Sequence, residues 1–467
     1  MDHAARRPNL IMIMSDDHAA HAIGSYGSRI NRTPHLDRIA AAGMRFDNCF
    51  CTNAICTPSR AAILTGEYSH VNGVRTLFDT LDNTRPQLQK DLRKAGYQTA
   101  LVGKWHLGHT PENEPAGFDY WRVLPGQGDY HDPELIGPDG AQRHPGYVTD
   151  IITDLSLGWL DRRDPTKPFL MMINHKAPHR PWDPDTKHAT LYDDVDIPEP
   201  EMFADDHDGR AAVLAGVKMS MADLTERDLK QPVPHGLSAE EERSWRYQRY
   251  IKDYLRCIAS VDRNVGRVLD WVEEQGLTDE TVIIYTSDQG FFLGDHGWYD
   301  KRLTYEESLR MPLLVSYPPL ITPGSVCTDL VTNLDFAPTL LDLAGAPLPE
   351  RLQGYSLTDS LAGRPPAEPQ TCVYHRYWEH LSEPHAVPAQ LGVRTERYKL
   401  ICYLEPAPGG TGYQASEFEL YDLDLDAAEL VNLYNAPEYA AVAQDLIGQL
   451  RQRQLEVDDR DLVAGLP

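Results

Sequence analysis

The sequence predicts an α/β fold: a mixed, mostly parallel central sheet flanked by helices, with a smaller C-terminal α+β domain of antiparallel sheet plus helix. Three observations carry this expectation. The almost wholly apolar runs 9–14, 169–174 and 281–286 are too short for packed helices and read as strands buried on both faces, as in parallel sheets. Apolar residues at 251, 254, 255, 258, 261, 265, 268, 269 and 272 keep helical spacing, so a long amphipathic helix packs on that sheet. Beyond the Pro- and Ala-rich stretch 363–370, short strand-like segments at 371–377, 390–394, 398–403 and 418–422 precede a helical segment at 437–456. The expected domains are therefore 1–365 and 366–467.

A chain of 467 residues with 41% hydrophobic and 24% charged residues has ample material for a globular core. Its formal net charge of -26, with no basic block to offset it, argues against a nucleic-acid or anionic-membrane partner. It also favours a small anionic substrate over a long polyanion. The seven cysteines are odd in number and irregular in spacing, as in a reducing compartment. The apolar run 10–14 is too short for a signal peptide and no segment is long enough to span a membrane, so a cytoplasmic protein is expected. A homo-oligomer stays open.

The first strand ends at Ser15-Asp16-Asp17-His18, which puts two carboxylates where open α/β sheets bind their ligands. Thr33-Pro34 opens a helix that Gly43 closes. Cys56-Thr57-Pro58-Ser59-Arg60, followed by Ala61-Ala62-Ile63-Leu64, reads as a turn into a helix whose N-terminus faces the cysteine. Free N–H groups there favour an anion, and Arg60 adds a fixed positive charge. From the thiol alone, a packed and inert cysteine is the ordinary reading.

A helix at 88–95, stopped by Gly96, leads into a strand at 97–102 and then Gly103-Lys104-Trp105-His106. Alternation directs Lys104 and His106 to one side if the strand persists. Residues 110–147, rich in Pro, Gly and Asp, read as loops around a pocket rim. A helix at 150–160 precedes the second apolar run, which ends at His175-Lys176-Ala177-Pro178-His179. Residues 192–236 read as a long irregular excursion that shapes access, and Ser238 with Glu241 as a capping box. The third run ends at Ser287-Asp288-Gln289-Gly290, and Lys301 follows in Lys301-Arg302-Leu303-Thr304-Tyr305-Glu306. A strand at 311–317 and a helix from 334 complete the first domain.

The string Cys-x-Pro-Ser-Arg-x-x-x-x-Thr-Gly at 56–66 resembles the signature of the type I sulfatases, members of the alkaline phosphatase-like superfamily. Asp16-Asp17, Lys104-x-His106, Lys176-Ala177-Pro178-His179, Asp288-Gln289 and Lys301-x-x-x-Tyr305-Glu306 resemble the further elements of that family, and 394–400 with 419–423 resemble its C-terminal subdomain. The resemblance implies that a formylglycine-generating maturation enzyme oxidises Cys56 to formylglycine (3-oxoalanine). The hydrated aldehyde is then the nucleophile: one hydroxyl attacks sulfur, and proton loss from the other expels sulfate and restores the aldehyde. It further implies that Arg60 orients this group and that Asp16, Asp17, residue 56, Asp288 and Gln289 hold a divalent cation. Lys104 and Lys301 would bind the sulfate, Asp288 would act as base, His179 would stand near the leaving oxygen, and His106 would take the proton that releases sulfate. Hard oxygen ligands suit Ca2+, with Mg2+ as the alternative. The family commonly has Asn where this chain has Gln289, a longer arm whose ligation is less secure.

The run 288–302 is more similar to carbohydrate sulfatases, such as those acting on glucosamine 6-sulfate, than to simple arylsulfatases. The expected reaction is hydrolysis of a sulfate monoester on a small sulfated saccharide, such as a 6-O-sulfated N-acetylglucosamine. His375, Arg376, Trp378, His380 and His385 are candidate sugar contacts, against the plainer reading of an edge strand with a surface loop. The rivals are an arylsulfatase or a phosphonate monoester or phosphodiester hydrolase of the same fold, and a silent binding protein with an unmodified Cys56.

Overall fold

In the computed structural model, which describes residues 7–108, 110–409, 412–461, 463 and 465–466, the three apolar runs are neighbouring parallel strands. Asn9–Ser15 lies between Phe169–Asn174 and Thr281–Ser287, with Leu10 opposite both Leu170 and Val282. Gln98–Lys104 and Tyr120–Leu124 extend the sheet in parallel on one side. On the other side Leu313–Ser316 runs antiparallel, followed by Met44–Phe46 and Ser325–Cys327. The result is a mixed, mostly parallel sheet of ten strands.

Alternate side chains of the central strands feed two cores, as the two-residue period requires. Ile11, Ile13, Met171, Ile173 and Ile283 pack against the helices Val148–Arg162 and Ala239–Glu274. Leu10, Met12, Leu170, Met172 and Ile284 point the other way, towards Cys56–Thr65, Leu88–Lys94 and Phe336–Leu343. The long helix starts at the expected capping box: Glu241 N–H donates to Ser238 Oγ at 3.2 Å and Ser238 N–H donates to Glu241 Oε2 at 2.7 Å.

Two local expectations are corrected. Residues 110–147 are not all rim loops: Tyr120–Leu124, Glu134–Gly137 and Gly140–Arg143 form one edge of the central sheet. Their turn-rich composition hid strands too short to show a period. The strand before His106 ends at Lys104, and His106 takes a positive φ of 58°, so a turn rather than alternation brings these two side chains together. Gly103 makes that turn feasible, because its φ is 112° and a Cβ there would run into the Asn174 carbonyl.

The C-terminal sheet is antiparallel, in the order Cys372–Tyr377, Gln390–Thr395, Tyr398–Pro406 and Tyr413–Asp422, with Ala440–Glu456 packed on it. Its core also takes in Ala62 and Tyr68, so this sheet covers the outer side of the Cys56–Thr65 helix. Buried Lys399 crosses the same boundary, 2.8 Å from both Glu306 and Glu429. All seven cysteines are buried and unpaired. Among the described residues no helix is long and apolar enough to cross a membrane.

Candidate active site

Every residue of the helix Cys56–Thr65 is buried, because the sheet core lies on one side and the C-terminal domain on the other. Cys56 is its first residue, so the free N–H groups of the first turn open into the protein interior rather than into solvent. The register pairing Ser15 with Ser287 then sets Asp16-Asp17 beside Asp288-Gln289 at the C-terminal ends of adjacent strands. Asp17 N–H donates to Asp288 Oδ1 at 3.2 Å and His18 N–H to Ser287 Oγ at 2.9 Å. Asp17 holds a positive φ of 67°, a strained backbone that Tyr254 supports by donating its hydroxyl to the Asp17 carbonyl at 2.7 Å.

Four cationic or imidazole side chains converge on these carboxylates. Arg60 Nε donates to Asp288 Oδ2 at 2.9 Å and Nη1 to the Lys104 carbonyl at 3.0 Å. Lys104 Nζ pairs with Asp16 and donates to Gln127 Oε1. Lys301 Nζ sits 2.7 and 2.9 Å from the two oxygens of Asp17. His179 Nε2 lies 3.8 Å from Asp17 Oδ2, while its Nδ1–H donates to the Arg180 carbonyl at 2.8 Å. On the remaining side, His106 Nδ1 is 3.2 Å from the hydroxyl of Thr57, the neighbour of Cys56.

The electrostatics follow from burial and these pairings. Burial opposes ionisation of Asp16, but Lys104, with Arg60 and Lys301, outweighs it and holds the carboxyl well below the usual range. Burial pushes Asp17 up to about 7 against the pull of Lys301, and Asp288 up to about 6, with Asp16 adding to the rise and Arg60 opposing it. Burial and the nearby lysine Lys104 keep His106 neutral, and burial with Lys104, Lys301 and Lys176 outweighs Asp16 to do the same for His179. Burial raises the Cys56 thiol despite Lys104 and Lys301, so an unmodified thiol here stays protonated and is a poor nucleophile.

The donor set fits a hard divalent cation. Asp16 Oδ1 and Gln289 Oε1 are buried without a hydrogen-bond partner, a costly arrangement unless something else engages them. Gln289 uses its Nε2 on Asp17, which leaves the carbonyl oxygen free. One ligand atom each from Asp16, Asp17 and His179 lies within 4.8 Å of the others. His179 therefore borders the candidate metal ligands, a place the expected ligand set did not give it.

The structure thus gathers Cys56, Arg60, Asp16, Asp17, Lys104, His106, His179, Asp288, Gln289 and Lys301 into one site. The candidate sugar contacts divide differently. His375 is 1% exposed, its Nδ1 3.1 Å from the Cys51 carbonyl, and Arg376 is committed to Asp459 and the Asp461 carbonyl. Both are corrected to packing roles that pin the C-terminal segment behind the Cys56 loop. Trp378 is capped by the guanidinium groups of Arg75 and Arg376, and His380 accepts from Ala389 N–H. His385 reaches the site wall, with Nε2 3.5 Å from Asp300 Oδ2.

Sequence reasoning missed three contributors. Gln127 lay in the segment read as rim loops, and no pattern marks it. Asn174, whose Nδ2 donates to the Lys104 carbonyl at 3.0 Å, is the last residue of a strand and could have been found by its place before His175. Asp300, with a positive φ of 78°, accepts from Lys301 N–H at 2.9 Å and stands inside the quoted run 288–302.

The chain is similar to known proteins over nearly its whole length. A family model described as Sulfatase matches residues 8–346, and one described as N-sulphoglucosamine sulphohydrolase, C-terminal, matches 294–456. An N-acetylglucosamine-6-O-sulfatase of Bacteroides thetaiotaomicron is 39% identical, over 98% of this chain and 88% of its own length. An arylsulfatase of Clostridium perfringens is 28% identical over 99% of this chain and 98% of its own. A solved structure, of a protein in complex with its substrate D-glucosamine-2-N,6-O-disulfate, superposes with a TM-score of 0.91 at 39% identity, covering 98% of this chain and 99% of that one.

Proposed function

The chain belongs to the sulfatase family, and we propose that this sulfuric ester hydrolase removes the 6-O-sulfate of a sulfated N-acetylglucosamine. Members of the family generally use a metal ion and a formylglycine. The reading assigns the formylglycine to Cys56, made by a maturation enzyme, and the metal to Ca2+, with Mg2+ as the alternative. One observation carries it: a buried cysteine at an inward-facing helix N-terminus is ringed by Arg60, Lys104 and Lys301, and a divalent cation on their partners Asp288, Asp16 and Asp17 would leave this charge for a tetrahedral anion. The identity of 39% over 98% of the chain to a named N-acetylglucosamine-6-O-sulfatase supports the choice of sugar.

When bound, a divalent ion held by Asp16, Asp17, Asp288 and Gln289 supplies positive charge that polarises the sulfate and acidifies a hydroxyl on residue 56. The chain's own residues do the rest. Lys104 and Lys301 bind the sulfate oxygens, where charge grows in the transition state, inside a site shut away from water. Burial disfavours the charge of Lys301, but Asp17 and Asp300 outweigh it and keep the amine protonated, so Lys301 presents N–H donors to the sulfate and its leaving oxygen. His179, with Nδ1–H committed to Arg180, presents an unprotonated Nε2 and orients the leaving alcohol. Neutral His106 is free to accept the proton that accompanies sulfate release.

The test is side-by-side turnover of 6-sulfated N-acetylglucosamine, an aryl sulfate and a phosphate diester by the purified, matured enzyme. The sugar sulfate should give the highest kcat/KM. Dominant diester turnover would sink the reading.

A further inference from the structure

The loop from Arg75 to Leu81 is tied to three walls of the site. Asn53, three residues before Cys56, donates Nδ2 to the Arg75 carbonyl at 3.1 Å. Leu77 N–H donates to Glu379 Oε1 at 2.8 Å, and the other oxygen of Glu379 lies 3.3 Å from Nη1 of Arg302, the neighbour of Lys301. Leu81 N–H donates to the carbonyl of Leu107, the neighbour of His106, at 3.0 Å. Within the loop, Asp79 Oδ2 accepts from Arg75 N–H at 2.9 Å, Thr76 N–H at 2.7 Å and the Thr76 hydroxyl at 3.0 Å.

These bonds tie the backbone of the loop to segments adjoining Cys56, Lys301 and His106. Leu77 turns inward onto the cluster of Trp298, Leu303, Tyr305 and Tyr377. Phe78 turns outward and is 79% exposed, the most exposed large apolar side chain among the described residues. Single exposed apolar residues are common and need no function. This one is an exposed aromatic ring on a loop whose backbone is bonded to segments adjoining the site.

We propose that Phe78 is the stacking platform for the sugar unit next to the sulfated one. The apolar C–H face of a pyranose suits a flat ring with only two side-chain torsions to order, and the contact needs no charge. The inference rests on the saccharide reading above.

The test compares sulfate release from 6-sulfated N-acetylglucosamine with release from a disaccharide carrying the same unit at its non-reducing end, using the wild type, Phe78→Ala and Phe78→Trp. The wild type should show the lower KM for the disaccharide. Phe78→Ala should shrink the disaccharide-to-monosaccharide ratio of kcat/KM about fivefold, through KM, and Phe78→Trp should keep it. An unchanged ratio in Phe78→Ala, or a wild type that rejects the disaccharide, would overturn the subsite while leaving the monosaccharide reading intact. No release from either sugar would remove the saccharide reading and the subsite with it.

Discussion

Arg60 and Asp288 form an ion pair sealed from water: Nε lies 2.9 Å and Nη2 2.8 Å from the same carboxylate oxygen, and neither side chain is more than 2% exposed. The pair locks the Cys56 helix to the strand end that carries Asp288-Gln289. Removing one partner leaves the other charge buried and alone, which costs about 3–5 kcal/mol. Arg60→Met should lower unfolding free energy by that order in urea titration and abolish sulfate release. Arg60→Lys should recover part of the stability without the forked geometry.

Gln127 should act through Lys104, whose Nζ donates to its Oε1. Gln127→Ala removes one hydrogen bond to a charged group, worth about 1.5–3 kcal/mol at most. Steady-state kinetics should show a rise in KM for the sulfate ester larger than the fall in kcat, with the unfolding free energy lowered by no more than that amount. An unaltered KM would mean that Asp16 alone positions the lysine.

The fold and most of the site were legible because the informative residues stand in patterned places. Asp16-Asp17 and Asp288-Gln289 follow buried strands, and Cys56 to Gly66 is a contiguous string. Gln127 was not legible, since only the folding of residues 120–143 onto the sheet edge brings it to Lys104. His375 and Arg376 misled because polar and aromatic residues in a strand look alike whether they face a ligand or a buried backbone carbonyl. The pairing of His375 with Cys51, far away in sequence, is a tertiary fact.

His375 also gives a pH signature. Burial, helped by Lys399, lowers its imidazole from the ordinary 6.5 to about 3. The unfolded chain therefore binds the proton more readily, and the stability that the neutral ring contributes is complete above pH 6.5 and is lost as pH falls towards about 3. His375→Gln keeps a donor for Cys51 but does not titrate. The stability gap between wild type and variant in urea unfolding should narrow by about 2 kcal/mol between pH 7 and pH 5. A constant gap would contradict a buried neutral imidazole.

The unpartnered oxygens of Asp16 and Gln289 predict linked metal binding and stability. Chelation should abolish sulfate release and lower the unfolding temperature, and Ca2+ or Mg2+ should restore both. An ion at about a hundredfold its Kd adds roughly 2.7 kcal/mol. Gln289→Leu should raise the ion concentration needed for half-recovery, and an unshifted requirement would exclude Gln289 as a ligand.

The central claim is that residue 56 acts as an oxidised cysteine. Its most direct test is the mass of the tryptic peptide that contains residue 56, taken from a preparation whose sulfate release has been measured. The account predicts the aldehyde mass, in a fraction that scales with turnover across preparations. Full turnover from protein whose residue 56 is entirely an alkylatable thiol would contradict it.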